Sequence, residues 1–144
     1  MSEDKTGPVE YILVAEDSPP NRRILAHTLA RLGFLVVESA NGEEAWSKMN
    51  NPELGVVIGV FSDVMMPTMD GFELLTKVRA EKKWETLPFV LVSAVSEKKK
   101  VLEAREHNVA GYLVKPIQFQ KILELVTKIY PSMTFDAGAI PRFR

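Results

Sequence analysis

Five short apolar runs alternate along the chain with segments whose apolar residues recur at helical spacing. Each run is uninterrupted and rich in strand-forming residues, which is typical of a strand buried on both faces. Strands that alternate with helices predict a parallel sheet with helices on both of its faces. The predicted strands are Tyr11–Ala15, Leu35–Val37, Val56–Phe61, Leu87–Val92 and Tyr112–Val114.

Helical spacing marks the segments between and after the predicted strands. The first helix opens on Pro19-Pro20, which suits a first turn because no backbone donor is needed there. The helix predicted over Ser96–His107 carries mostly charged residues, so we expect it to be the most weakly anchored element. The apolar stripe of the first helix is predicted to comprise Ile24, Leu25, Thr28, Leu29 and Leu32. The remaining predicted helices are Glu43–Met49, Phe72–Ala80 and a last helix with Ile122, Leu125, Val126 and Ile129 on one face.

Length, charge and composition narrow the class of protein. A chain of 144 residues that is 46% hydrophobic fits one globular domain with a short tail. Eighteen basic residues nearly balance nineteen acidic ones, so the overall charge favours neither nucleic acid nor an anionic membrane as a partner. The absence of cysteine excludes disulfides and thiolate chemistry. No apolar run approaches the roughly 18 residues of a membrane span, and we expect a cytoplasmic protein.

Polar residues stand where the predicted strands end. Glu16 and Asp17 follow the first strand, Asp63 the third, Ser93 the fourth and Lys115 the fifth. Each alone is commonly a turn former or a helix cap, but parallel sheets bind ligands beyond the carboxyl ends of their strands. Three neighbouring carboxylates repel one another, and a hard divalent cation such as Mg²⁺ compensates them. A carboxylate can also attack phosphorus if Mg²⁺, a lysine and a hydroxyl neutralise the phosphoryl oxygens.

Five segments in a fixed order carry a family resemblance: Ile12–Ser18, Asn41–Ala45, Ser62–Leu75, Val92–Ala94 and Gly111–Pro116. The long segment from Ser62 is the most specific, whereas an acidic pair or a Lys-Pro dipeptide alone is a weak signal. With these segments the chain resembles the receiver domains of two-component response regulators, the family typified by the chemotaxis response regulator. The resemblance implies a flavodoxin-like, doubly wound (βα)5 fold with strand order 2-1-3-4-5. We expect the receiver domain over residues 9–130, between an N-terminal tail (1–8) and a C-terminal tail or linker (131–144).

The resemblance also implies roles for the residues at the strand ends. Asp63 is expected to accept a phosphoryl group from a histidine kinase or a histidine phosphotransfer protein. Mg²⁺ is expected to be held by Asp17 directly, by Glu16 through water, by Asp63 and by the backbone carbonyl of Met65. Lys115 is expected to pair with the Asp63 carboxylate and then with the phosphoryl group.

The expected response to phosphorylation involves two further residues. The Ser93 hydroxyl turns inward to a phosphoryl oxygen, and the ring of Tyr112 moves with it. This rearranges the surface of the fourth helix, fifth strand and fifth helix for a downstream effector domain or partner protein. Pro116 is implied to follow a cis peptide bond. The sequence does not indicate whether phosphorylation drives homodimerisation through the fourth and fifth helices.

The sequence departs mildly from the usual family pattern. Glu16 replaces the more frequent Asp, and Ser93 replaces the more frequent Thr. The segment of residues 52–60 is longer and richer in glycine than usual in the family. Met65 and Val95 flank the expected path of the water that hydrolyses the acyl phosphate, and both are apolar. We therefore expect slower autodephosphorylation than in Met65→Asn or Val95→Glu variants, because neither native side chain can orient a water.

We expect a phospho-accepting switch that is not a turnover enzyme, and three other functions fit the sequence less well. A haloacid-dehalogenase-type phosphohydrolase typically has a second Asp two residues after its nucleophile, where this chain has Met65. A pseudo-receiver, acting as a phosphorylation-independent interaction module, would usually have lost Asp17, Asp63 or Lys115. Dinucleotide binding would require a glycine-rich turn after the first strand, and residues 16–21 contain no glycine.

Overall fold

The computed structural model describes residues 7–97, 99 and 108–135, which form a five-stranded parallel sheet. The strand order β2-β1-β3-β4-β5 is the flavodoxin-like order that the resemblance implied, and the prediction is confirmed. The strands are β1 (Glu10–Ala15), β2 (Leu35–Ser39), β3 (Val56–Asp63), β4 (Phe89–Ser93) and β5 (Gly111–Val114).

Four helices of the described residues cover both faces of the sheet. They are α1 (Pro19–Arg31), α2 (Gly42–Met49), α3 (Gly71–Ala80) and α4 (Phe119–Ile129), the last of which is the fifth helix of the sequence prediction. Buried side chains of α1 and α4 share one apolar core with the sheet, and those of α2 and α3 share the other. Most of the helix predicted over residues 96–107 lies outside the described residues, as does the chain after Phe135. None of the described helices has the length and apolar character to cross a membrane.

The helices that flank the site begin with side-chain caps. Ser18 caps α1, with its hydroxyl accepting from the Asn21 N–H. At α3, Asp70 and Glu73 form a reciprocal capping box, in which each side chain accepts the other's backbone N–H at 2.9 Å. These caps pair backbone donors that a helix start leaves unsatisfied, and they end the loops after β1 and β3 at defined residues.

The orientation of α1 differs from the predicted apolar stripe. Leu25, Ala26 and Leu29 are buried against the sheet, whereas Ile24 is 53% exposed. Residues 24 and 26 lie about 200° apart around a helix, so they cannot both face the sheet. The inclusion of Ile24 in the buried stripe was therefore wrong.

An extra residue in β3 accounts for the long, glycine-rich stretch before the site. Tyr11 pairs with Val57 but Ile12 pairs with Gly59, so Ile58 is bulged out of the register with β1. The Tyr130 hydroxyl donates to the carbonyl of Ile58 at 2.8 Å. Gly59 makes room for this contact, because a Cβ at that position would collide with the Tyr130 hydroxyl.

Candidate functional site

The carboxyl ends of the strands bring the predicted site residues together. Asp63 is the last residue of β3 and Ser93 the last of β4, and both are buried. Glu16 follows β1 and is fully buried, while Asp17, next to it, is exposed. Lys115 follows β5, where its backbone N–H donates to the carbonyl of Ser93 at 2.8 Å. As their positions at the strand ends predicted, these five residues lie at one edge of the sheet.

A single lysine connects two of the buried carboxylates. The Lys115 Nζ lies 3.1 Å from Oδ2 of Asp63, to which it donates a hydrogen bond, and 3.2 Å from Oε1 of Glu16. Burial disfavours the ammonium, but the hydrogen bond to Asp63 and the charges of Asp63 and Glu16 outweigh that effect, so the pKa of Lys115 is raised. The lysine is therefore held as a cation in contact with Asp63.

Hydrogen bonds hold both the backbone and the side chain of Glu16. Its backbone N–H donates to the carbonyl of Ser39 at 3.1 Å, and its Oε2 accepts the Ser18 N–H at 3.1 Å. Burial, a hydrogen bond with Asp63 and the negative charge of Asp63 raise the pKa of Glu16 to about 7, against the opposing effects of Ser18 and Lys115. When all are ionised, the three carboxylates of Glu16, Asp17 and Asp63 outnumber the one ammonium, that of Lys115, which contacts two of them.

The donor set fits a hard divalent cation. Carboxylate oxygens of Glu16, Asp17 and Asp63 lie within 4.8 Å of one another. All are hard oxygen ligands, and Asp17 at the solvent boundary leaves room for waters, which Mg²⁺ retains in protein sites. The uncompensated charge around Glu16 is a second reason for a cation to bind here. The cluster therefore has the chemistry of a magnesium site.

The remaining predicted residues lie around this cluster at different depths. Met65 follows Asp63 in the β3–α3 loop with its side chain 46% exposed. Tyr112 lies on β5, 43% exposed, and lines a groove of about 550 Å³ between β5 and α4. The Lys115–Pro116 peptide bond is cis, as the resemblance implied. The side chain of Val95, named for the hydrolysis path, lies outside the described part of the chain.

One residue at this edge, Arg22, was not identified from the sequence. Its Nη1 donates to the backbone carbonyl of Glu16 at 2.9 Å, and its Nε lies 3.4 Å from Oε1 of Glu38. The only signal in the sequence was a basic residue one helical turn after the Ser18 cap, a common feature of exposed helix faces. The direction in which the Arg22 side chain points depends on how α1 packs on the sheet.

A doubly wound parallel sheet with a buried acid, a neighbouring acidic pair and a lysine at its carboxyl edge defines a receiver-like α/β class. The family model of the response regulator receiver domain matches residues 12–127. The chain belongs to the response regulator receiver family, whose members are signalling switches of two-component systems.

Similar proteins agree with this family. The chain is 42% identical over 130 residues to a chemotaxis protein CheY homolog of Campylobacter jejuni, covering 89% of this chain and 98% of that protein. It is 37% identical over 115 residues to the chemotaxis protein CheY1 of Helicobacter pylori, covering 78% and 90%. The structure of Vibrio cholerae chemotaxis response regulator CheY4 superimposes with a TM-score of 0.73 at 29% identity, covering 84% and 98%. The chain thus resembles chemotaxis response regulators over most of its length.

Proposed function

We propose that this receiver domain is a phospho-accepting switch in a two-component phosphorelay, with Asp63 as the acceptor. The observation that carries the proposal is the environment of the buried Asp63 carboxylate. The Lys115 Nζ contacts this carboxylate at 3.1 Å, and carboxylate oxygens of Glu16 and Asp17 lie within 4.8 Å of it. This arrangement retains every group that a pseudo-receiver would usually have lost. The donor is the phosphohistidine of a histidine kinase or of a histidine phosphotransfer protein.

The transfer exchanges one bond to phosphorus for another. A carboxylate oxygen of Asp63 forms the new O–P bond, the N–P bond of the phosphohistidine breaks, and the imidazole leaves with its electron pair. Lys115 stays beside Asp63 and neutralises charge on the phosphoryl oxygens, and the Ser93 hydroxyl donates to one of them. Bound Mg²⁺ supplies further charge neutralisation during this exchange.

We assign the magnesium ligands to the acidic edge. Asp17 and Asp63 bind the ion directly, together with the backbone carbonyl of Met65, and Glu16 acts through a water. Two features support this set: the short separations among the carboxylate oxygens, and the raised pKa of Glu16, which burial and the neighbouring Asp63 cause and which a bound cation would offset. The Lys115 ammonium contacts the carboxylates of Glu16 and Asp63.

We propose that phosphorylation changes the surface of β5 and α4, together with the helix expected over residues 96–107, most of which lies outside the described residues. Ser93 ends β4 and Tyr112 lies on the adjacent β5, where Leu91 and Tyr112 are paired. Tyr112 is 43% exposed and lines the groove between β5 and α4, so its side chain is not fixed in the core. A downstream effector domain or partner protein would bind the rearranged surface.

The proposal also includes the bounds of the domain, its cellular location and the limits of its chemistry. We assign the receiver domain to residues 9–130 and place it in the cytoplasm, without nucleic-acid or membrane partners. Its chemistry is limited to its own phosphorylation and autodephosphorylation, and it converts no separate substrate.

Intact mass after incubation with Mg²⁺ and a small-molecule phosphodonor tests the acceptor. We expect one phosphoryl adduct on the native chain, none on Asp63→Asn, and none without Mg²⁺. Asp70→Asn is the matched control, because Asp70 caps α3 in the same loop and lies outside the acidic cluster. A folded native chain without an adduct would refute the proposal and favour a phosphorylation-independent interaction module.

A further inference from the structure

Arg22 joins the acidic edge to the neighbouring strand. It lies in the first turn of α1, and its guanidinium donates from Nη1 to the Glu16 carbonyl at 2.9 Å. Its Nε lies 3.4 Å from the carboxylate of Glu38, which is a residue of β2. One planar group thus contacts the residue after β1 and the end of β2.

The contact with the Glu16 carbonyl completes a set of restraints on that residue. The backbone N–H of Glu16 is bound to Ser39 and its Oε2 is bound to the Ser18 N–H. Its Oε1 faces the Lys115 ammonium at 3.2 Å. If the carbonyl lost its donor, the turn that leads into Asp17 would keep only the restraints at the N–H and the side chain.

We propose that Arg22 is a positioning residue of the acidic edge: by binding the Glu16 carbonyl while Glu38 orients its guanidinium, it sets the direction of the Glu16 and Asp17 carboxylates. This inference rests on the proposed function, since it concerns the site at which Mg²⁺ and the phosphoryl group bind. Among the described residues, the guanidinium of Arg22 contacts the Glu16 carbonyl and the Glu38 carboxylate rather than the side chains of Glu16, Asp17 or Asp63, so it acts through the backbone of Glu16.

The chemistry of arginine suits this task. A guanidinium presents several donors in a fixed plane, so one group can serve a carbonyl and a carboxylate together, whereas a lysine ammonium offers one point of attachment on a flexible stem. The ion pair with Glu38 is partly exposed, with side-chain exposures of 22% and 48%. Such pairs contribute little to folding stability, so we expect the loss of Arg22 to affect the site more than the fold.

The test compares Arg22→Ala with Arg23→Ala in titrations of Mg²⁺ by calorimetry on the full chain. Arg23 is the next residue of the same helix, is exposed, and loses the same charge on substitution. We expect Arg22→Ala to weaken Mg²⁺ binding about tenfold, which is the low end for partners that orient metal ligands. We expect Arg23→Ala to bind Mg²⁺ as the native chain does. Equal dissociation constants for the two variants would overturn the inference.

Arg22→Lys separates positioning from charge. It keeps the positive charge but loses the planar fork, so we expect Mg²⁺ binding to stay weakened. Full recovery would mean that a single donor on a flexible stem is enough, and it would overturn the inference. If Arg22→Ala does not fold, Glu38→Gln gives a second test. We expect it to weaken Mg²⁺ binding less than Arg22→Ala would, and unchanged Mg²⁺ binding would contradict the role of Glu38.

The native chain separates this inference from the proposed function. A native chain that binds Mg²⁺ and takes a phosphoryl group on Asp63 upholds the function, and the variants then decide the role of Arg22. A native chain that does neither refutes the function and the inference with it. Thermal unfolding midpoints without metal, which we expect to be similar in Arg22→Ala and Arg23→Ala, exclude a general loss of stability as the cause.

Discussion

At the scale of single residues, the site depends on an imbalance of charge. Lys115 contacts two buried carboxylates, and burial together with the neighbouring Asp63 raises the pKa of Glu16 to about 7 even though that ammonium lies 3.2 Å away. The same lysine contact keeps Asp63 beside a cation before any phosphoryl group arrives. This arrangement supports the proposal that a divalent ion and a phosphoryl group bind at the same place.

Met65 offers a test of how long the phosphoryl group stays on Asp63. Its exposed thioether side chain lies two residues after the acceptor and cannot orient a water as an amide does. We expect Met65→Asn to shorten the lifetime of the phosphorylated protein several-fold, and Met65→Leu to leave it unchanged. The measurement is the decay of the intact-mass adduct in excess Mg²⁺ after the phosphodonor is removed. Equal decay in all three proteins would contradict the expectation.

At the scale of elements, the bulge in β3 and the end of α4 depend on each other. The bulge turns the Ile58 carbonyl to the Tyr130 hydroxyl, and Gly59 leaves the space for that hydroxyl. Any side chain at position 59 has to displace the tyrosine or shift the strand. The contact therefore ties the strand that ends in Asp63 to the last helix.

A double-mutant cycle measures this dependence. We expect Gly59→Ala to lower the free energy of unfolding by about 1–3 kcal/mol, as overpacking of a filled core does. The loss should be much smaller in a Tyr130→Phe background, because the colliding oxygen is gone. Urea unfolding of the four proteins gives the coupling, and Gly7→Ala, which meets open space, is the control. Equal losses in both backgrounds would show that the tyrosine is not what Gly59 accommodates.

The sequence predicted the elements better than their details. The spacing of apolar residues located the five strands and the four described α-helices, because burial of a strand or of one helix face depends on nearby residues. It did not locate the short 3-10 helices at Pro52–Leu54 and Lys82–Trp84. The sequence did not indicate the orientation of Ile24, the bulge at Ile58 or the exact start of β4, which begins after Pro88 at Phe89. Each of these depends on how an element packs on a partner far away in the chain.

At the scale of the whole molecule, aromatic side chains join the segment after α4 to the connection between α1 and β2. The ring of Phe34 lies 5.3 Å from that of Tyr130 and 5.5 Å from that of Phe135, measured between centroids. Both pairs are tilted, at spacings where aromatic rings attract each other. The described chain is thus packed against the body as far as Phe135, a few residues past the proposed domain boundary.

Tyr130 also makes the stability of the whole domain depend on alkaline pH. Burial raises its pKa above the ordinary value of 10.0, so the unfolded chain ionises this group before the folded chain does. The stability linked to Tyr130 is complete below about pH 10 and is lost as the pH rises further, by up to about 1.4 kcal/mol per pH unit.

Urea unfolding at pH 8 and pH 10.5 checks this prediction. We expect the native chain to lose more unfolding free energy between the two pH values than Tyr130→Phe does. Tyr11, whose pKa burial also raises, is present in both proteins and contributes equally to each. An identical loss in the two proteins would contradict a folded-state shift at Tyr130.

The sequence alone determined the alternation of strands and helices, and it determined that Glu16, Asp17, Asp63, Ser93 and Lys115 meet at one edge. The reason is geometric: carboxyl ends of parallel strands converge, so even residues 52 positions apart, such as Asp63 and Lys115, could be placed together. Only the tertiary structure decided that Arg22 reaches the Glu16 carbonyl and that Tyr130 reaches Ile58, 72 positions away. Those contacts depend on the rotation of a helix and on one extra residue in a strand, and no local pattern in a sequence specifies either.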